Sequence, residues 1–377
     1  MCLCGTVLVH CHKLVTIAGY SLVGLPFRLR AVSCIEESPE MKKALIPSLF
    51  VSFLGFFAAG TLQAADITGA GATFPYAVYT KWAEAYNSAT GNKVNYQGIG
   101  SSGGIKQIKA KTVDFGGTDA PVKSSMLERD GQIQIPTVMG GVTIVVNLPG
   151  LKSGDLKLDG KTAADLFRGA IAKWNDPAIA ALNPGLKLPA KPVVVAHRSD
   201  GSGTTATMTG YLGMQSEVFA KEVGVGKSVN WPVNAVGGKG NPGVAANVNK
   251  IVGAVGYVDI ADALKNGMTF AALKNKAGQF VLPSQEAVAA AAAGADFNVK
   301  GMAPDLLDQA APTAWPITTA TYVIAYAKGK DASRQKGVVD FFKWSLNNGQ
   351  KMATELGFVP LPPNVVKMVE QEMTKIK

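Results

Sequence analysis

Beyond residue 65 the chain alternates short apolar runs with longer segments whose apolar side chains recur at helical spacing. That alternation predicts a mixed α/β fold with mainly parallel strands, because a parallel crossover needs a helix-length connection. In PYAVYTKWAEAYNSA, residues 75–89, Val78, Trp82, Ala85 and Tyr86 share one helical face, and Pro75 suits a first turn. KVNYQGIG reads as a strand ending in glycine, and SSGGIKQIKAK as the helix after it. VDFGGTDAP is a short strand that Pro121 stops. PTVMGGVTIVVN, residues 136–147, is a longer apolar strand region; KTAADLFRG is a capped helix and KWNDPAIAALNPG a turn-rich stretch. PVVVAHRS is a strand and GTTATMTGYLG the helix that follows. Near the end WPITTATYVIAYA predicts a strand. GVVDFFKWSLNNGQKMATEL then predicts one long helix with Phe341, Phe342, Trp344 and Leu346 toward the core. The residues after Leu356 read as a tail.

Two strand regions, 136–147 and 315–327, are the natural crossings between lobes, since the chain between them carries its own full set of strands and helices. The expected division is a discontinuous first lobe of residues 66–141 and 319–377 and a second lobe of residues 142–318. Paired crossings permit hinge closure over a ligand. A single continuous sheet through both halves is the competing reading.

The N-terminal part needs separate treatment. From Met41 the sequence restarts as MKKALIPSLFVSFLGFFAAGTLQA, two lysines followed by an apolar run, which is the pattern of a secretory signal peptide. The run is shorter than the roughly 20 residues a membrane-spanning helix needs. Residues 41–65 are therefore read as a cleaved signal, the mature start falls near Ala65 or Asp66, and the expected location is the periplasm. Residues 1–40 are read as lying upstream of the true start. Cys2, Cys4, Cys11 and Cys34 all precede Met41, so the exported part has no disulfide and no lipid-anchoring cysteine. Cys2, Cys4 and Cys11 with His10 and His12 lack the paired spacing of a zinc site.

Composition excludes little more. The content is 47% hydrophobic and 17% charged, which fits a globular chain rather than a disordered one. Formal charge is +10, and the segment after residue 65 keeps 32 Lys/Arg against 24 Asp/Glu, an excess of +8. No basic block interleaved with aromatics appears, so nucleic acid is not an expected partner. Gly226-Lys227-Ser228 and Gly160-Lys161-Thr162 lack the first glycine of a phosphate-cradling nucleotide loop, having Lys221 and Asp155 there.

The chemistry is concentrated where strands end. GATFP (71–75), GSSGG (100–104), GTDAP (117–121) and SDGSGT (199–204) share one form: small polar residues beyond a strand, generally opening a helix. Helix N-termini present unpaired N–H groups and the positive end of the dipole, so they can hold an anion without lysine. Ser and Thr hydroxyls add donors, and Arg198 adds a planar fork suited to a tetrahedral oxyanion. Each cluster alone reads first as an N-cap or tight turn, the ordinary role of Ser, Thr, Asp and Gly. Arg198 paired with Asp200 alone would be a structural ion pair, and His197 alone a packed or surface histidine. Four clusters at strand ends shift the balance, because ligands of open α/β sheets gather there.

The segments GAGATFP, KVNYQGIGSSGG, SDGSGT, GGKGN, GAVGYV and AWPIT, in this order across most of residues 66–345, resemble the periplasmic phosphate-binding proteins of bacterial phosphate ABC importers. The resemblance implies a two-lobed type II periplasmic binding protein fold, each lobe a mainly parallel sheet flanked by helices, with dehydrated phosphate in the cleft. Carried over by motif, Thr73, Phe74 through its backbone amide, Ser101 and Asp119 would face phosphate from the first lobe. Arg198, Ser202, Gly203 and Thr204 would face it from the second, with Asp200 holding Arg198. His197 and Thr118 depart from the family's common residues at their positions. The implied partners are inorganic phosphate and an inner-membrane permease with its ATPase subunits. No cofactor, metal or catalysis is expected, and the protein should be a monomer before docking. A receptor for sulfate or molybdate, or a phosphatase using Ser102 or Ser202, are the alternatives; the hydrolase would need a base or metals, for which only His197 remains after residue 65.

Overall fold

Why these segments take these forms is visible in how they pair. The computed structural model describes residues 66–377; the expected signal peptide and the segment upstream of it lie outside the described residues. The strands are β1 (Ile67–Gly71), β2 (Val94–Gly98), β3 (Phe115–Thr118), β4 (Gln132–Val146), β5 (Lys157–Leu158), β6 (Val194–Arg198), β7 (Val236–Gly238), β8 (Ala254–Asp259), β9 (Thr269–Phe270), β10 (Ala272–Lys274), β11 (Phe280–Val281), β12 (Thr318–Tyr326) and β13 (Val359–Pro360).

The main sheet runs in the order β2-β1-β3-β12-β4-β8-β6-β7. At one end β2, β1 and β3 are mutually parallel, and at the other β8, β6 and β7 are mutually parallel. Between them β12 and β4 run antiparallel to their neighbours. Each half is thus the expected parallel unit, with helices in the crossovers.

β4 joins the halves, and all fifteen of its residues are buried. Its first part pairs with β12, reaching Gly141 opposite Thr318; its second pairs with β8 from Val142 onward. The hydrogen-bonded path is therefore continuous through both halves, while the partner on each part of β4 is different. The two strand regions expected as crossings form β4 and β12, of which β4 alone pairs with strands of both halves. A small separate sheet, β11-β10-β5, flanks the second half.

Aromatic packing fixes the first half. Trp82 and Tyr79 on the helix Tyr76–Thr90 stack at 5.8 Å, and Phe342 meets Tyr79 at 5.7 Å and Phe115 at 5.0 Å. Burying such side chains stabilises by about 1.5–3 kcal/mol each. Val78, Trp82 and Tyr86 are buried as their spacing predicts, whereas Ala85 is half-buried and Pro75 precedes the helix as its cap residue.

Four expectations are corrected. The long C-terminal helix is two, Ala332–Asn348 and Gln350–Glu355, because the Trp82 indole donates to Gly349 O at 2.9 Å and draws the chain out of line there. Phe341, Phe342 and Leu346 are buried, but Trp344 is only partly so. The presumed tail is structured: β13 pairs with β4, and the helix Pro363–Met373 buries Val365, Val366, Val369 and Met373. The turn-rich stretch after Lys173 contains the helix Pro177–Leu182, started by Asp176, whose carboxylate accepts from Ala178 N–H at 2.9 Å.

Candidate functional site

Four of the small-residue clusters meet where the parallel strands of the two halves end. β3 delivers Asp119, β6 delivers Arg198, and two helices begin at Ser101 and Gly203. The two helix N-termini face each other: Gly203 N–H donates to Ser101 Oγ at 3.0 Å, and Asp119 N–H reaches the same oxygen at 3.4 Å. Both helix dipoles therefore point their positive ends into one small region. Gly203 is needed there, since a Cβ would lie 2.7 Å from Asp119 N and 2.7 Å from Ser101 Oγ.

Arg198 is the fixed cation. Its side chain is 1% exposed and forms a two-point bridge to Asp200, Nε to Oδ1 at 2.8 Å and Nη2 to Oδ2 at 2.5 Å. Burial pushes the Asp200 carboxyl up, but the Arg198 bonds outweigh it and hold the group below the usual carboxylate range. Nη1 donates to Asn241 Oδ1 at 2.7 Å and to Thr204 Oγ1 at 3.4 Å. Behind the strand, Arg198 N–H donates to the Tyr257 hydroxyl at 3.1 Å, and Tyr257, Trp231 and His197 form a stack. His197 is thus a packed ring; its Nδ1 lies 2.9 Å from Arg198 O.

Asp119 is the acceptor among these donors. It is 1% exposed, and its Oδ1 accepts from Thr321 Oγ1 at 2.9 Å while Oδ2 faces Thr204 Oγ1 at 3.5 Å. Burial drives its carboxyl up to about 7, against the opposing pull of Thr321, Arg198, Thr204 and Lys227. Thr204 consequently sits between the cation and the carboxyl.

The remaining expected residues divide. Thr73 joins the site through Asn241, whose N–H donates to Thr73 Oγ1 at 3.2 Å. The Phe74 ring is buried against Phe358 at 5.7 Å, so only its main chain is available on the Thr73 side. Ser202 caps its own helix, Oγ accepting from Thr205 N–H at 3.0 Å, which leaves its hydroxyl proton free to donate elsewhere. Asn241, Asp259, Tyr257, Thr321 and Lys227 were not among the candidates. Asn241 ends the quoted segment GGKGN and Tyr257 lies in GAVGYV, but Asp259, Thr321 and Lys227 carry no such signal.

The fold is that of a two-lobed type II periplasmic binding protein. Residues 58–348 match the model described as PBP superfamily domain. The chain is 50% identical over 309 residues to the phosphate-binding protein PstS of Xylella fastidiosa (strain 9a5c), covering 82% of this chain and 85% of that one. It is 49% identical over 338 residues to the phosphate-binding protein PstS of Pasteurella multocida (strain Pm70), covering 89% and 97%. Among solved structures, a high affinity periplasmic phosphate-binding protein (PfluDING) bound with phosphate superposes with a TM-score of 0.65 at 25% identity, over 81% of this chain and 93% of that one. The chain belongs to the PBP superfamily and, within it, to the family of PstS phosphate-binding proteins.

Proposed function

We propose that this protein is a non-enzymatic receptor for inorganic phosphate in the periplasm, handing its ligand to an ABC permease and its ATPase subunits. The names of its relatives support the ligand, and the resemblance supports the delivery role. The observation that carries the reading is a buried carboxyl, Asp119, placed among Arg198, two helix N-termini and the hydroxyls of Ser101 and Thr204. Donors alone would suit any tetrahedral oxyanion. An acceptor in their midst suits one that still carries a proton, as phosphate does near neutral pH and sulfate does not.

In this reading Thr73, Phe74 N–H, Ser101 and Asp119 engage phosphate from a first lobe of residues 66–141 and 319–377. Arg198, Ser202, Gly203 N–H and Thr204 engage it from a second lobe of residues 142–318, and Asp200 orients Arg198. Each hydrogen bond to the charged ligand contributes about 1.5–3 kcal/mol before desolvation and closure are deducted. A phosphatase is disfavoured because His197, the histidine nearest the site, is stacked on Trp231 and faces Arg198 O rather than a serine. Calorimetric titration of the purified protein with inorganic phosphate should give saturable one-to-one binding; no heat and no competition with a labelled phosphate would overturn the proposal.

A further inference from the structure

Behind the guanidinium lies a residue that touches both halves of the cleft. Asn241 is fully buried; its Oδ1 accepts from Arg198 Nη1 at 2.7 Å, and its Nδ2 donates to Asp259 Oδ2 at 2.5 Å. Its N–H donates to Thr73 Oγ1 at 3.2 Å, across to the opposite half. The amide can sit only one way round. A guanidinium has donors alone, so the amide oxygen must face Arg198, and the NH₂ is left for the carboxyl.

Arg198 is thereby held on two sides. Two of its five protons go to Asp200 and one to Asn241 at short range. Of the two that remain, one points at Thr204 across 3.4 Å, the direction from which an anion beside Thr204 would be met. Asp259 is itself anchored, its Oδ1 accepting from Asp262 N–H at 2.8 Å. Burial and the neighbouring Asp262 push the Asp259 carboxyl well above its ordinary value.

We infer that Asn241 is a positioning residue for phosphate capture: it sets the plane of Arg198, and its main chain ties that plane to Thr73 on the other lobe. The inference rests on the phosphate reading above. Asn241 does not meet the ligand; it acts through Arg198 and Thr73. The charged groups around it are Arg198 and Asp200 from β6 and the loop after it, and Asp259 and Asp262 from the corner after β8, with Lys265 one turn beyond Asp262.

The test is phosphate titration of the purified full chain, the Asn241→Ala variant and the Asn241→Asp variant, from about pH 6 to about pH 8.5, with ligand-free melting curves alongside. Asn241→Ala should weaken phosphate binding by about 10-fold or more at every pH. Asn241→Asp carries its own signature. Protonated, the carboxyl reproduces the amide, with C=O toward Arg198 and O–H toward Asp259. Ionised, it sets a new carboxylate beside Asp200 and the Asp259 carboxyl and draws Arg198 away from the ligand. Its deficit against the parent should therefore be small at low pH and grow as pH rises. Parent-like affinity in Asn241→Ala, or a pH-independent deficit in Asn241→Asp, overturns the inference. If Asn241→Ala fails to fold, the pH course of Asn241→Asp alone decides. A parent chain that does not bind phosphate would instead remove the functional reading on which this rests.

Discussion

In the proposed reading recognition turns on Asp119, whose chemistry follows from its surroundings rather than its type. Full burial opposes ionisation; the Thr321 hydroxyl and the Arg198 charge favour it, and the outcome is a carboxyl titrating at about 7. Its folded value lies above the unfolded one of 3.8, so the folded chain holds this proton more tightly. The associated stability is fully present below about pH 4 and is lost as pH rises toward and through about 7. Replacing Asp119 by asparagine removes the titration while keeping the shape. Melting curves of the ligand-free proteins should show the Asp119→Asn variant gaining on the parent between about pH 4 and about pH 7, by up to about 4 kcal/mol. A constant offset across that range would mean that the buried carboxyl is not the titrating group. Asp119 and Arg198 were both legible as strand-end residues, and Asp200 as the partner of Arg198. Thr321 was not, because it reaches the site only through a contact with Asp119, 202 residues away in the sequence.

At the scale of elements, strands and their following helices were readable because the apolar alternation and the capping residues agree with the fold in most places. The failures have identifiable causes. NNGQK interrupts the apolar pattern between Leu346 and Met352, a stop signal that the reading of one long helix passed over, and Trp82 takes the carbonyl of Gly349 there. The break depends on a tertiary hydrogen bond. At Gly349 a Cβ would lie 2.2 Å from Trp82 Nε1 and 2.6 Å from Ser345 O, one of them backbone. Gly349→Ala should therefore destabilise the chain by about 1–3 kcal/mol in a denaturant titration, although alanine favours helices. Unchanged or increased stability would show that the Trp82 contact is not holding the break. The last helix was missed for a different reason: Pro363 at its start and valines at 365, 366 and 369 are the signs of an amphipathic segment, but the reading of residues after Leu356 as a tail passed over them.

Across the whole molecule, one buried strand is shared by two sheet ladders, and the proposed binding groups come from both sides of it. In the proposed site neither half alone would hold an anion: the first would supply Ser101, Asp119 and Thr73, the second Arg198, Gly203 and Thr204. Ser102 N–H donates to Gly201 O at 2.9 Å, so backbone as well as side chains bring the halves together. The two parallel groups of strands were legible in the chain pattern, and a meeting of strand ends was expected from it. The distances at which they meet depend on how the sheet curls through β4, which no local pattern encodes. The central claim is that donors from two lobes close around a guest while one carboxylate demands a proton of it. The measurement that tests this most directly is the ratio of phosphate to sulfate affinity of the unmodified protein at about pH 8, where Asp119 is mostly ionised. A site built on that one acceptor should favour phosphate by ~10⁴-fold or more. Comparable affinities for the two anions would contradict the account.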